Sequence, residues 1–85
     1  MTFEDICKKL TDSLIELNKL KENDSNFSWT VDLFDYGYLD SFGVVELLAE
    51  ISAIYDLDLT NEDFYRDLRS IDSISRVIEK RKNEL

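Results

Sequence analysis

Histidine and proline are absent from this chain of 85 residues, and cysteine occurs once, as Cys7. Without histidine, no Ser-His or Cys-His nucleophile pair can be assembled, and a single cysteine excludes zinc sites of the usual kind. One cysteine cannot staple the fold, which fits a reducing, cytoplasmic compartment. No apolar run approaches the ~20 residues of a membrane span. The acidic start Met1-Thr2-Phe3-Glu4-Asp5 also lacks the basic flank of a signal peptide, so no membrane insertion is expected. With no proline and only two glycines, the chain is poorly punctuated for an all-β fold and well suited to helices.

Basic residues are scarce too, and their placement is uneven. Ten Lys and Arg stand against nineteen Asp and Glu, for a net charge of −9. Residues 1–21 are neutral overall and residues 66–85 carry +2, whereas residues 22–65 hold eleven acids and no base. Phosphate contacts need clustered Lys and Arg, so nucleic acid is excluded as a partner. The acidic stretch has no cation of its own, so Glu46 and Glu50 are expected to lack salt-bridge partners. It is either a solvated surface or a docking face for basic partners.

The content that is present is globular: 44% hydrophobic and 34% charged. Its length predicts a single domain over residues 1–85, with a modest core and little room for an enclosed active site. Phe3, Ile6, Cys7, Leu10, Leu14 and Leu17 recur at steps of three and four, predicting a helix from about Phe3 to Leu20 capped by Thr2. Phe27, Trp29, Val31 and Leu33 alternate with polar residues, but no second convincing strand exists to pair with them. They read as a long loop that pins aromatic side chains into the core. A second helical stripe starts at Phe42 and continues through Val44 or Val45, Leu48, Ile51 and Tyr55. Thr60-Asn61-Glu62-Asp63 reads as a capping-box variant that opens a short helix running through Phe64 toward Leu68. Ser70 caps a last helix with Ile71, Ile74, Val77 and Ile78 inward, ending in Lys80-Arg81-Lys82. The expected fold is an all-α, small four-helix bundle, with three longer helices, a short third one and a long first loop. A monomer is expected.

The most informative segment runs from Leu33 to Leu47. Asp40 immediately precedes the second helical stripe and is a good N-cap. Ser41 then falls in the first turn, exposing its hydroxyl at the positive end of the helix dipole. A phosphate ester there would meet backbone N–H groups and a favourable field. Gly43 lies close by, although glycine within a helix costs about 1 kcal/mol against alanine. Something must approach closely at that point. An Asp-Ser dipeptide alone is only a common helix start; the wider pattern adds the information.

The run Phe34-Asp35-x-Gly37-x-Leu39-Asp40-Ser41-x-Gly43-x-Val45-Glu46-Leu47 resembles the acyl and aminoacyl carrier proteins. It is most similar to D-alanyl carriers of teichoic-acid D-alanylation and to free-standing carriers of specialised acyl pathways. The resemblance spans about Leu33 to Leu59. It departs from fatty-acid-synthesis carriers in having Phe42 and Gly43 after the serine. It departs from non-ribosomal peptide carriers in having Leu39-Asp40 before it, and Phe64 with Ser70 to Ile74 looks more like the specialised acyl carriers.

The resemblance implies a carrier rather than an enzyme, with 4′-phosphopantetheine from coenzyme A attached to Ser41. Asp40, Phe42 and Gly43 would flank the group. It further implies a phosphopantetheinyl transferase, a loading ligase or transferase, and downstream biosynthetic enzymes as partners. An acyl or aminoacyl cargo would be held as a thioester, and Asp40, Glu46 and Glu50 would face the partners' basic patches.

Other readings compete. An unmodified acidic adaptor docking on a basic partner would tolerate alanine at Ser41. Asp56, Asp58, Thr60, Glu62 and Asp67 fall in calcium-loop register, but Asn61 replaces the turn glycine and Asp67 the final Glu. No metal site is therefore assigned. Cys7, on the apolar stripe of the first helix, reads as a buried small hydrophobe.

Overall fold

The computed structural model describes residues 2–84, folded as four helices with no strand among them. They are α1 (Phe3–Glu16), α2 (Ser41–Tyr55), α3 (Phe64–Asp67) and α4 (Ile71–Asn83). This is the small all-α bundle that the periodicity predicts, with α1 packed on α4 and on α2.

Thr2 opens α1, its hydroxyl accepting from the Asp5 N–H at 3.2 Å. Ile6, Cys7, Leu10 and Leu14 line one face and are fully buried, each large side chain contributing about 1.5–3 kcal/mol of transfer free energy. The helix stops at Glu16 rather than near Leu20. Asn18 takes a left-handed φ of 61°, and the N–H groups of Lys19 and Leu20 turn back onto the Leu14 carbonyl at 2.9 and 3.3 Å. Asparagine tolerates that conformation at modest cost. Leu17 continues the stripe in sequence, but the reversal buries Leu20 instead and sends Lys19 toward α2.

The segment 17–40 is a loop, as its unpaired alternation predicts. Leu33 is fully buried, while Phe27, Trp29 and Val31 pack half-buried against the core. Backbone bonds tie the loop down: Leu33 N–H donates to the Arg69 carbonyl at 2.7 Å, and Asp72 N–H donates to the Trp29 carbonyl at 2.8 Å. The Arg69 guanidinium adds a fork to both oxygens of Asp32, reaches Asp35 at 3.2 Å, and stacks 4.9 Å from the Phe34 ring. Forked pairs of this kind fix geometry as well as charge. The stretch leading to Ser41 is therefore held against the α3–α4 junction.

Val44, Leu47, Ile51 and Tyr55 form the buried face of α2. Phe42 and Val45 point outward, 69% and 63% exposed. The expected stripe thus begins two residues late, takes Val44 rather than Val45, and runs through Leu47 rather than the half-buried Leu48. Spacing back from Leu47 and Ile51 selects Val44, because residues three and seven apart share a face.

The cap of α3 is Asp63, which accepts from the Arg66 N–H at 3.1 Å; Thr60 does not cap it. Thr60 instead closes a local turn on Asp58, its N–H donating to Oδ1 at 2.9 Å. Ser70 caps α4 in a reciprocal box with Ser73. The basic end of α4 serves neighbours as well as its own dipole. Lys82 donates to the Tyr55 carbonyl at the end of α2, and Arg81 joins the Asp58 carbonyl and Glu62.

Candidate functional site

The mouth of α2 is built by one capping residue. Asp40 has extended backbone angles, and its Oδ1 accepts the Gly43 N–H at 2.7 Å while its carbonyl accepts the Val44 N–H at 3.0 Å. The N–H groups of Ser41 and Phe42 precede the first intrahelical donor, Val44, and remain directed out of the helix end. Ser41 itself is exposed and its hydroxyl makes no hydrogen bond among the described residues. The first turn thus offers a free hydroxyl, two backbone donors and the positive end of a 15-residue helix. That chemistry fits a phosphodiester on the Ser41 oxygen. No base among the described residues touches it, so no neighbour activates the hydroxyl as a nucleophile.

Gly43 meets the close approach that its sequence context predicts. A Cβ there would stand 3.1 Å from Leu39 Cδ2, 3.3 Å from Asp40 Oδ1 and 3.5 Å from Lys19 Cε. What approaches closely is this chain's own packing, including the capping carboxylate. The glycine shapes the helix start on which Ser41 stands.

The acids named as docking residues divide. Glu46 is paired: Lys19 Nζ lies 2.8 Å from its Oε1, which is closed off from solvent. The contact is an ion pair out of hydrogen-bond alignment, and the carboxylate beside it raises the Lys19 ammonium above its usual range. The expectation that Glu46 has no cation nearby is therefore wrong. The partner arrives from the α1 reversal, outside the base-free stretch. Glu50 is half-buried and enters no ion pair among the described residues, and Asp40 is committed to its cap. Across the acidic stretch, Asp32 and Asp35 are likewise held by Arg69, and Glu62 by Arg81. The Arg69 guanidinium, helped by the Asp35 backbone N–H, holds the Asp32 carboxyl below the usual carboxylate range.

Two open grooves border the outer side of α2. One, of about 420 Å³, lies between Val44 and Leu48 on α2 and residues 60–65. The other, of about 360 Å³, lies over Val45, Ala49 and Ser52 beside residues 58–60. Both are shallow surface features. The interior behind them is filled by Leu47, Ile51, Leu59 and Phe64.

The calcium register brings no ligands together. Asp58 is occupied by Thr60, Glu62 by Arg81 and Asp67 by Arg66, and no three potential ligands cluster among the described residues. Cys7 is buried on α1, and burial pushes its thiol pKa up. Sequence reasoning missed Lys19, which it placed in the first helix, and the clamp role of Arg69. Neither carries a local signal, since both act across the fold.

Among the described residues no helix is long and apolar enough to cross a membrane. A D-alanyl carrier protein of Staphylococcus saprophyticus is 39% identical over 67 residues, covering 79% of this chain and 80% of that protein. One from Streptococcus pyogenes is 36% identical over 59 residues, covering 68% and 75%. One from Streptococcus equi subsp. zooepidemicus is 47% identical over 36 residues, covering 42% and 46%. The family described as the phosphopantetheine attachment site matches residues 8–78, a span containing the whole of α2 and its cap. With a helical bundle, an exposed serine at a capped helix mouth and this match over most of its length, the chain belongs to the phosphopantetheine-binding carrier family, whose covalent cofactor is 4′-phosphopantetheine.

Proposed function

We propose that Ser41 is the attachment residue and that the chain carries a short aminoacyl unit, with D-alanyl as the leading candidate. The observation that carries the assignment is the position of Ser41. It is the first residue of α2, exposed, beside a carboxylate already committed to capping. When bound, the group supplies a thiol that holds cargo as a thioester. The residues of this chain supply the rest: Ser41 accepts, Asp40 orders the first turn, Phe42 and Val45 offer apolar surface next to it, and Glu50 offers charge. A phosphopantetheinyl transferase would bring its own Mg²⁺ and coenzyme A, because no base among the described residues contacts the serine.

Two observations favour a small cargo over a long acyl chain. The relatives named above are D-alanyl carriers. The grooves beside α2 are open and the core behind them is full, so a long chain would bury few of its CH₂ groups, each worth about 0.8 kcal/mol when buried. A ligase that activates a small amino acid is therefore the expected loading partner.

Intact mass before and after incubation with a broad-specificity phosphopantetheinyl transferase and coenzyme A tests the assignment. The wild type is expected to gain one phosphopantetheine and Ser41→Ala none, with the melting temperature of Ser41→Ala unchanged. A gain on the alanine variant would refute Ser41, and no gain on either would favour an unmodified adaptor. Melts of the loaded form with alanyl, acetyl and octanoyl thioesters test the cargo. A rise for octanoyl alone would overturn the short-cargo reading.

A further inference from the structure

The fold brings Lys19 to the mouth of α2. The Asn18 reversal delivers it, with the Lys19 backbone N–H anchored on the Leu14 carbonyl at 2.9 Å. Its aliphatic stem lies over Gly43, Nζ reaches Glu46 Oε1 at 2.8 Å, and Nζ stands 5.8 Å from the Phe42 ring centroid. One side chain therefore touches the residue after Ser41, the glycine of the first turn and the first acid of the α2 face. The pair is only partly exposed, 22% for the Lys19 side chain and 29% for that of Glu46.

We infer that Lys19 is an internal competitor for the docking surface: it occupies Glu46 and so weakens the encounter between the Ser41 face and a partner that presents a basic patch. This deepens the proposed function and rests on that reading. A basic side chain approaching Glu46 must displace an ammonium already in contact with the carboxylate. Its own charge is also repelled by that ammonium. Glu50, one helical turn further along, carries no such competitor among the described residues and becomes the acid available to a partner. The arrangement moderates association with each enzyme, which suits a carrier that must leave one partner before meeting the next.

The test is steady-state phosphopantetheinylation followed by intact mass, with four proteins compared at low and high salt. Lys19→Met keeps the stem over Gly43 and removes the charge. Lys19→Arg keeps the charge and can hold Glu46 through a fork. Lys9→Gln makes the same net-charge change as Lys19→Met on an exposed position of α1. Lys19→Met is expected to raise kcat/KM about two- to fivefold at low salt, the range that a partly exposed ion pair can supply. The gain is expected entirely in KM, and added salt abolishes it. Lys19→Arg is expected at or below the wild-type value, and Lys9→Gln close to it.

Equal gains for Lys9→Gln and Lys19→Met would overturn the inference in favour of net charge. So would an unchanged or slower Lys19→Met, which would make Lys19 a support for Phe42 rather than a competitor. Rates that are measurable but identical in all four proteins would defeat this inference and leave Ser41 standing. Absence of any mass gain in the wild type would remove both.

Discussion

Replacing Gly43 by alanine sets one added carbon against three side chains, and the outcome depends on which of them can yield. Removing glycine from a helix interior stabilises by about 1 kcal/mol. Against this, the new Cβ would lie 3.3 Å from Asp40 Oδ1, the atom that accepts the Gly43 N–H at 2.7 Å. Displacing that cap costs about 1 kcal/mol. Leu39 Cδ2, at 3.1 Å, belongs to a side chain only 4% exposed and has nowhere to retreat. Crowding of this kind adds about 1 kcal/mol, the low end for overpacking. The Lys19 stem, at 3.5 Å, is in ordinary contact and can give way. Gly43→Ala is thus expected to destabilise by about 1 kcal/mol, lowering the melting temperature by roughly 4–8 °C for a domain of this size. Asp40→Ala alone is expected to cost about 1 kcal/mol. In its background the cap is already gone, so adding alanine at Gly43 is expected to be close to neutral, a coupling of about 1 kcal/mol. Urea titration of the wild type, both single variants and the double variant measures the cycle. Stabilisation by Gly43→Ala alone, or additivity within about 0.3 kcal/mol, would refute the argument.

Leu47→Ala and Ile51→Ala, at fully buried positions of α2, are expected to cost about 2–5 kcal/mol, whereas Phe42→Ala and Val45→Ala remain within about 0.5 kcal/mol by urea titration. Asp32 has a depressed folded-state pKa, so its contribution is present above the unfolded value near ~3.9 and lost as pH falls through the lower folded value. The melting-temperature gap between wild type and Arg69→Gln is therefore expected to be widest near neutrality and to shrink as pH falls below about 4. Cys7 is fully buried with its thiol pKa raised by burial. An aromatic disulfide reagent should find no fast-reacting thiol in the unmodified native protein, a single one after phosphopantetheinylation, and Cys7 only on unfolding. Rapid labelling of the unmodified native protein would contradict the burial.

Much of the bundle is written in local pattern. The stripes of the first and last helices, the caps at Thr2, Asp40 and Ser70, and the exposure of Ser41 depend on residues three or four apart, a distance over which helix geometry alone decides what meets what. The Ser41 run is also contiguous, so the family resemblance was legible before any fold was known. Where local patterns competed, sequence was insufficient. Both Val44 and Val45 satisfied the spacing, Leu17 continued a stripe that the chain abandons at Asn18, and the box read from Thr60 opened a helix whose cap is Asp63. Long-range packing made each choice, by burying Leu20 beyond the reversal and seating Phe64 in the core. The charge pattern went furthest astray, because a base-free stretch of sequence need not be base-free in space. Lys19 reaches Glu46, Arg69 reaches Asp32, and Arg81 reaches Glu62, across separations that no helical repeat encodes. Sequence determined that there is a capped serine on an acidic helical bundle. The tertiary structure decided which acids are left free around it, since an ion pair depends on where two side chains arrive and not on how far apart they lie along the chain.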